Sequence, residues 1–304
     1  MGYWLLIALL APTLWAVTNH IDKYLLNQQL DQRGIGALLT ASALIGLPCM
    51  LAIVLLRPGV LHISLFHSLM MVANGVLYIV GLLPYLYALQ RDETSIIVPL
   101  FQTTAIFSYL LGLIFLDEQL SIRQLAAVLL LVGGAVIISL ERKWQLVQFK
   151  ADVFWLMLLA ALLNALNWFV FKYVAIQDDF WATSFWEYAG FLLTALFILL
   201  AVPPYRRDFV VAMRHGGRQM IGLSALNELI GIGAKTATNI ASLLAPLALV
   251  SSINGLQPLF TFIYGIVLTY YLPRYGSERL SRGIVMQKTT ALVLIIAGTT
   301  LLSV

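Results

Sequence analysis

Apolar residues in this chain come in continuous runs of about 20, divided by short polar breaks, without the every-second-residue alternation of half-buried strands. Ten such runs can be read: 3–26, 34–56, 64–90, 94–116 and 122–140, then 151–176, 180–202, 218–240, 247–271 and 283–304. A helix rises about 1.5 Å per residue, so each run is long enough to cross a hydrocarbon layer of roughly 30 Å. A continuous run satisfies its own backbone as a helix, whereas a membrane barrel alternates lipid-facing with lumen-facing positions. The pattern predicts an all-α integral membrane protein with ten transmembrane helices and no separate soluble domain.

The runs also repeat. Leu9-Leu10-Ala11 stands twelve positions before Lys23-Tyr24, and Leu158-Leu159-Ala160 stands twelve before Lys172-Tyr173. Gly134 with Ser139 recurs as Gly298 with Ser303. The offset between copies grows from 149 at the Lys-Tyr pairs to 164 at the Gly/Ser pairs, and the connections 203–217 and 272–282 absorb the difference. Loops take insertions that packed helices refuse. Residues 1–145 and 146–304 are therefore expected to be two five-helix repeats. An odd number of spans reverses the direction of insertion, so the second copy enters inverted, which is the symmetry of many secondary transporters.

Composition agrees with burial in lipid. Of the 304 residues, 61% are apolar and 11% charged, with a mean hydropathy of +0.91, where soluble domains carry roughly 25% charged residues. No cleavable leader is expected, because the first run starts at once without a basic segment. Cys49 is the sole cysteine, which excludes an intrachain disulfide. Fourteen of the eighteen lysines and arginines fall on odd-numbered connections, which puts those connections in the cytoplasm and both termini outside a plasma membrane (the inner membrane of a bacterium).

Residues 94–104 read Thr-Ser-Ile-Ile-Val-Pro-Leu-Phe-Gln-Thr-Thr, followed by an apolar helix, Leu116-Asp117-Glu118-Gln119-Leu120 and Gly133-Gly134. The second half has Gln257-Pro258-Leu259-Phe260, Glu278-Arg279-Leu280 and Gly298. This resembles the EamA family of the drug/metabolite transporter (DMT) superfamily, in which a Pro-containing fourth helix leads to a Gly-Glu-Xaa-Leu turn and a Gly-bearing fifth helix. Asp117 stands where that family usually has Gly, and Thr104 stands where the second copy has Pro258. The resemblance implies ten helices as two inverted repeats, a central cavity and alternating access. It also implies cytoplasmic termini, opposite to the charge count, and it names no substrate.

Polar groups in mid-span mark where solute would bind. A carboxylate at the centre of a span costs about 2.5–3.5 kcal/mol on insertion scales, so Glu228 is expected to face the interior with a partner or a proton. Lys235 lies two turns along the same helix, and together they would engage a polar solute or form a structural ion pair. Glu228 and Glu187 are the candidates for proton coupling, Glu187 alternatively reaching the interface beside its aromatic neighbours. Asn227, Asn74, Asn164 and Asn167 are mid-span amides placed to contact solute or to bond neighbouring helices. Trp15, Trp168, Tyr78 and Tyr85 would wall the site or simply pack.

Other polar residues read more plainly. His20 and Asp22 read as interfacial, with a gate or relay as the alternative, and the duplicated Lys-Tyr pairs read as interfacial anchors. Pro99 and Pro258, flanked by polar groups in 102–104 and 254–257, are candidate hinges in the fourth and ninth spans, with Pro84 and Pro246 as further breaks. Arg91-Asp92-Glu93 reads as a solvated turn, and the acidic pair Asp117-Glu118 as a cap on the helix that follows. No phosphate loop, metal-ligand spacing or nucleophile motif appears, so no cofactor, metal or catalytic residue is expected.

These features predict a secondary transporter, an exporter, that moves a small polar or amphipathic metabolite (amino-acid-like or similar) by alternating access. A proton gradient or the solute's own gradient would drive it. Its partners would be the small-molecule solute and the lipid bilayer, with no nucleic acid, and it would be a monomer or homodimer. The alternatives are a flippase for a lipid-linked or amphipathic molecule, using the basic connections, and a membrane protein without a transport role.

Overall fold

The computed structural model describes residues 3–25, 34–91, 100–101, 103–139, 151–215, 217–271 and 282–303. Pro99, the Asp92-Glu93 turn and Glu278 lie outside the described residues. Among those described there is no strand. The helices are α1 (Tyr3–Tyr24), α2 (Ile35–Leu44), α3 (Gly46–Leu56), α4 (Leu65–Arg91), α5 (Thr103–Phe115), α6 (Ile122–Ser139), α7 (Ala151–Ala175), α8 (Phe180–Ala201), α9 (Pro203–His215), α10 (Gly217–Leu244), α11 (Leu247–Asn254), α12 (Gln257–Tyr271) and α13 (Arg282–Ser303).

Six stretches among the described residues are long and apolar enough to cross a membrane, from Tyr3–Asp22 to Leu247–Leu268. Leu55, Leu200, Phe197 and Leu129 stand largely exposed on their outer faces. Apolar surface on that scale belongs in lipid. The protein is a multi-pass membrane protein.

Local chemistry sets the helix ends. Asp179 caps α8, its Oδ1 accepting from the backbone of Trp181 (2.9 Å) and Ala182 (3.1 Å). At the start of α6, Ser121 and Gln124 form a reciprocal capping box, Ser121 N–H to Gln124 Oε1 (2.9 Å) and Gln124 N–H to Ser121 Oγ (3.2 Å). The cap is therefore supplied by these two residues and not by Asp117-Glu118. Asp117 sits at φ 53, a backbone region glycine enters without cost. That geometry accounts for glycine being usual there in the resembled family.

Two spans are not single helices. The run 34–56 is divided into α2 and α3 at Ile45, whose backbone keeps helical angles, and the run 247–271 is interrupted at Gly255-Leu256, with Pro258 in the first turn of α12. The stretch 203–217, read from sequence as a loop, instead contains helix α9. Proline fits the first turn of a helix, and the segment sets arginines beside Phe209, Val210 and Val211, the make-up of a helix lying in an interface. It packs on α2 so closely that a Cβ at Gly36 would stand 2.6 Å from Tyr205 Cα.

Helix contacts are reciprocal between halves. α1 lies on α10 and α12, while α4 and α5 lie on α7. α6 packs on α13 through the two repeated glycines: a Cβ at Gly134 would meet Ile295 Cγ1 at 2.8 Å, and one at Gly298 would meet Leu131 Cγ at 2.9 Å. α4 and α8 touch backbone to backbone, with Gly75 facing Gly190. Helix ends join on two faces. Arg91 reaches Asp152 (3.0 Å) and Tyr87 OH meets Tyr205 OH (2.8 Å) on one, while His67 pairs with Asp178 on the other.

Candidate functional site

A cavity of about 90 Å³ lies between α1, α2, α4, α8 and α10, toward the face of the Tyr87–Tyr205 contact. Its walls include Trp15, Thr18, Asp22, Ser42, Tyr78, Tyr85, Asn227, Glu228 and Lys235. Drug-sized ligand pockets run to roughly 300–1,000 Å³, so this conformation admits the polar head of a small solute and not the whole of a drug-sized one.

Two carboxylates face it. Glu228 Oε1 accepts from Ser42 Oγ at 2.8 Å, and Asp22 Oδ1 accepts from Asn227 Nδ2 at 2.7 Å. Helix α10 supplies Asn227, Glu228 and Lys235 from one 28-residue segment, long enough to carry polar residues at several depths.

The cavity floor is a buried ion pair. Glu187 and Lys235 are 1% and 3% exposed, with Nζ 3.0 Å from Oε1. The same Oε1 accepts from Asn74 Nδ2 and Asn167 Nδ2, both at 2.9 Å, and Lys235 also reaches Asn167 Oδ1 at 3.3 Å. The two asparagines exchange bonds with each other's backbone carbonyls at 3.2 Å, which ties α4 to α7. Above the pair, the Lys235 ammonium lies 4.6 Å from the centroid of the Tyr78 ring, itself stacked on Phe191. A buried ion pair is tolerated when further hydrogen bonds support it, as those of Asn74 and Asn167 do here.

A second ion pair closes the opposite face. Lys172, on α7, contacts Glu118 and donates to the Ala245 carbonyl at 2.8 Å, while Glu118 Oε2 takes the Leu247 N–H at 2.9 Å. Gly112 makes the space, since a Cβ there would stand 2.5 Å from Glu118 Oε2. Lys172 is buried, not an interfacial anchor: its ammonium is spent inside the helix bundle. The Lys23 side chain lies outside what is described.

The structure thus divides the sequence candidates. Glu228, Lys235, Asn227, Trp15, Tyr78 and Tyr85 line the cavity; Asn74, Asn167 and Glu187 lie beneath it in the ion-pair network. Asn164 and Trp168 are in neither group. Lys235 bonds to Glu187, so the partner suggested by helical spacing, Glu228, is replaced by one from another helix. Asp22 is a wall residue and not an interfacial one, closer to the gate or relay alternative, and Ser42 beside Glu228 is a wall residue that the sequence does not single out. His20 instead bonds through Nε2 to the Thr261 carbonyl at 2.9 Å. The only advance sign of Asp22 was a carboxylate inside the last turns of an apolar run.

Residues 2–140 match the EamA-like transporter family. They belong to it. That family is part of the drug/metabolite transporter superfamily. An uncharacterised protein of Methanocaldococcus jannaschii is 30% identical over 70 residues, 23% of this chain and 51% of that protein. The match thus spans about half the length of this relative. A crystal structure of another protein superposes on 99% of this chain and 95% of its own with a TM-score of 0.66 at 15% identity, a likeness of fold alone.

Proposed function

We propose that this EamA-like protein is a secondary transporter, an exporter that moves a small polar or amphipathic metabolite by alternating access and couples it to protons through Glu228. The observation that carries the reading is a cavity between helices of both halves, with two carboxylates on an otherwise largely apolar and aromatic wall and a second ion pair on the far face. A solute site reached from one face and blocked from the other is what alternating access requires.

The reciprocal contacts of α1 and α7, and the paired glycines of α6 and α13, support two inverted five-helix repeats, 1–145 and 146–304. The divisions at Ile45 and Gly255-Leu256 are where helices would flex as the repeats exchange packing, Pro258 being the hinge residue of the second. Helix α9, with Arg206, Arg207 and Arg214, fits an anionic cytoplasmic leaflet. It supports the orientation from charge, with the cavity facing the cytoplasm and both termini outside.

Purified protein in liposomes tests this. Glu228→Gln is expected to abolish proton-driven transport while leaving expression and folding intact. Undiminished proton-driven transport by the variant would remove Glu228 from the mechanism.

A further inference from the structure

The polar groups facing the cavity are unbalanced in charge and in hydrogen-bonding sense. Lys235 is the cationic wall residue, and it is committed: two bonds run to Glu187 and Asn167, and the Tyr78 ring lies over it. Releasing it to a solute would strand Glu187, which is 1% exposed, as an uncompensated buried charge. Among the described residues Asp22 and Glu228 bond to neutral partners, Asn227 and Ser42. The donors beside them are thereby spent on them.

What remains open is an acceptor. Asn227, 6% exposed on the cavity wall, directs its Nδ2 to Asp22 and leaves Oδ1 buried with no hydrogen-bond partner. A buried carbonyl oxygen without a donor costs about 1–3 kcal/mol, so the site is incomplete as it stands. A ligand that completes it brings N–H donors and positive charge. The aromatic wall suits the same ligand: Tyr78 already holds one ammonium over its face, and the Trp15 and Tyr85 rings are available to a second or to its apolar body.

We infer that the transported solute is an organic cation, a protonated amine carrying an apolar or aromatic body, held between Asp22 and Glu228 with an N–H to Asn227 Oδ1. A zwitterion or an anion would set its carboxylate against two carboxylates, with no uncommitted cation among the described wall residues to receive it. This rests on the transport reading and narrows its substrate.

Three probes that share a phenyl ring isolate the charge: phenethylamine, phenylalanine and phenylacetate. Thermal shift of the full chain in detergent measures binding, and uptake into proteoliposomes measures movement. Phenethylamine is expected to stabilise the protein and to be taken up. The double variant Asp22→Asn, Glu228→Gln is expected to bind it at least tenfold more weakly, with Asn227→Leu intermediate. A double variant that fails to fold is replaced by the two single variants, each expected to weaken binding several-fold. Stabilisation by phenylalanine or phenylacetate in preference to the amine, amine binding that ignores both carboxylates, or no stabilisation by the amine overturns the inference. Amine binding that depends on both carboxylates, with no uptake by intact liposomes, upholds the site and defeats the transport reading instead.

Discussion

Lys235 and Glu187, on α10 and α8, are joined by a 3.0 Å ion pair with almost no exposure to solvent. It fixes the floor of the cavity, and it explains why Lys235 does not neutralise the carboxylate two turns earlier on its own helix. Its position, bonded to Asn74 on α4 and Asn167 on α7, makes it the point where four helices meet.

Removing one partner from such a pair is costlier than removing both, because the survivor is left buried and charged. Lys235→Met is expected to destabilise the protein by about 3–5 kcal/mol, and adding Glu187→Gln to restore most of that loss. Unfolding of the single and double variants in detergent measures it. Equal stability of the two would mean the pair carries no coupling.

Beneath that floor, α4 and α8 come within backbone contact. A Cβ on Gly75 would stand 2.0 Å from the Glu187 carbonyl oxygen, with backbone and no flexible side chain in the way. Gly75→Ala is therefore expected to cost at least about 1–3 kcal/mol and to separate the two helices that hold Asn74 and Glu187. Gly133→Ala, with nothing near its added Cβ, is the matched control and should stay within about 0.5 kcal/mol of the parent. Melting temperatures that move together in the two variants would contradict the close approach.

Much of this was legible in the chain, for reasons specific to lipid. The runs that became α4, α7 and α8 could be placed because hydrocarbon demands continuous apolar helix, and Glu228 and Lys235 stood out because hydrocarbon penalises charge. Partners were less legible. Spacing along α10 pointed Lys235 at Glu228, but packing brought Glu187 from α8 closer, and no pattern within one helix encodes that. Lys172 sat near a span end where snorkelling is the ordinary outcome, and only the fold carries Glu118 to it. Helix α9 was hidden by Pro203-Pro204 and its arginines, which resemble a loop unless an interface is allowed for.

The Glu118–Lys172 pair makes a mechanical prediction. It ties the turn after α5 to α7 and to the start of α11, on the face opposite the cavity. Glu118→Ala leaves Lys172 without its counter-charge and frees the Leu247 N–H. That face is then expected to open more often. In a Cys49→Ser background, a cysteine replacing buried Ser251 on α11 should react with a water-soluble maleimide several-fold faster when Glu118 is alanine. An unchanged rate would show that the ion pair does not seal this face.

Orientation can be decided with the same chemistry. His62, in the connection between α3 and α4, and Arg207, on α9, belong to opposite faces if ten spans alternate. Lysine and arginine bias puts Arg207 in the cytoplasm, where helix α9 would meet anionic lipid, and His62 outside. With Cys49 replaced by serine, His62→Cys in intact cells is expected to react with a membrane-impermeant maleimide, and Arg207→Cys only after permeabilisation. The reverse pattern would put both termini in the cytoplasm, as the EamA resemblance implies, and would turn the cavity outward. The cation site would then open to the outside of the cell in this conformation. Labelling at both positions in intact cells would break the alternation itself and, with it, the inverted repeat.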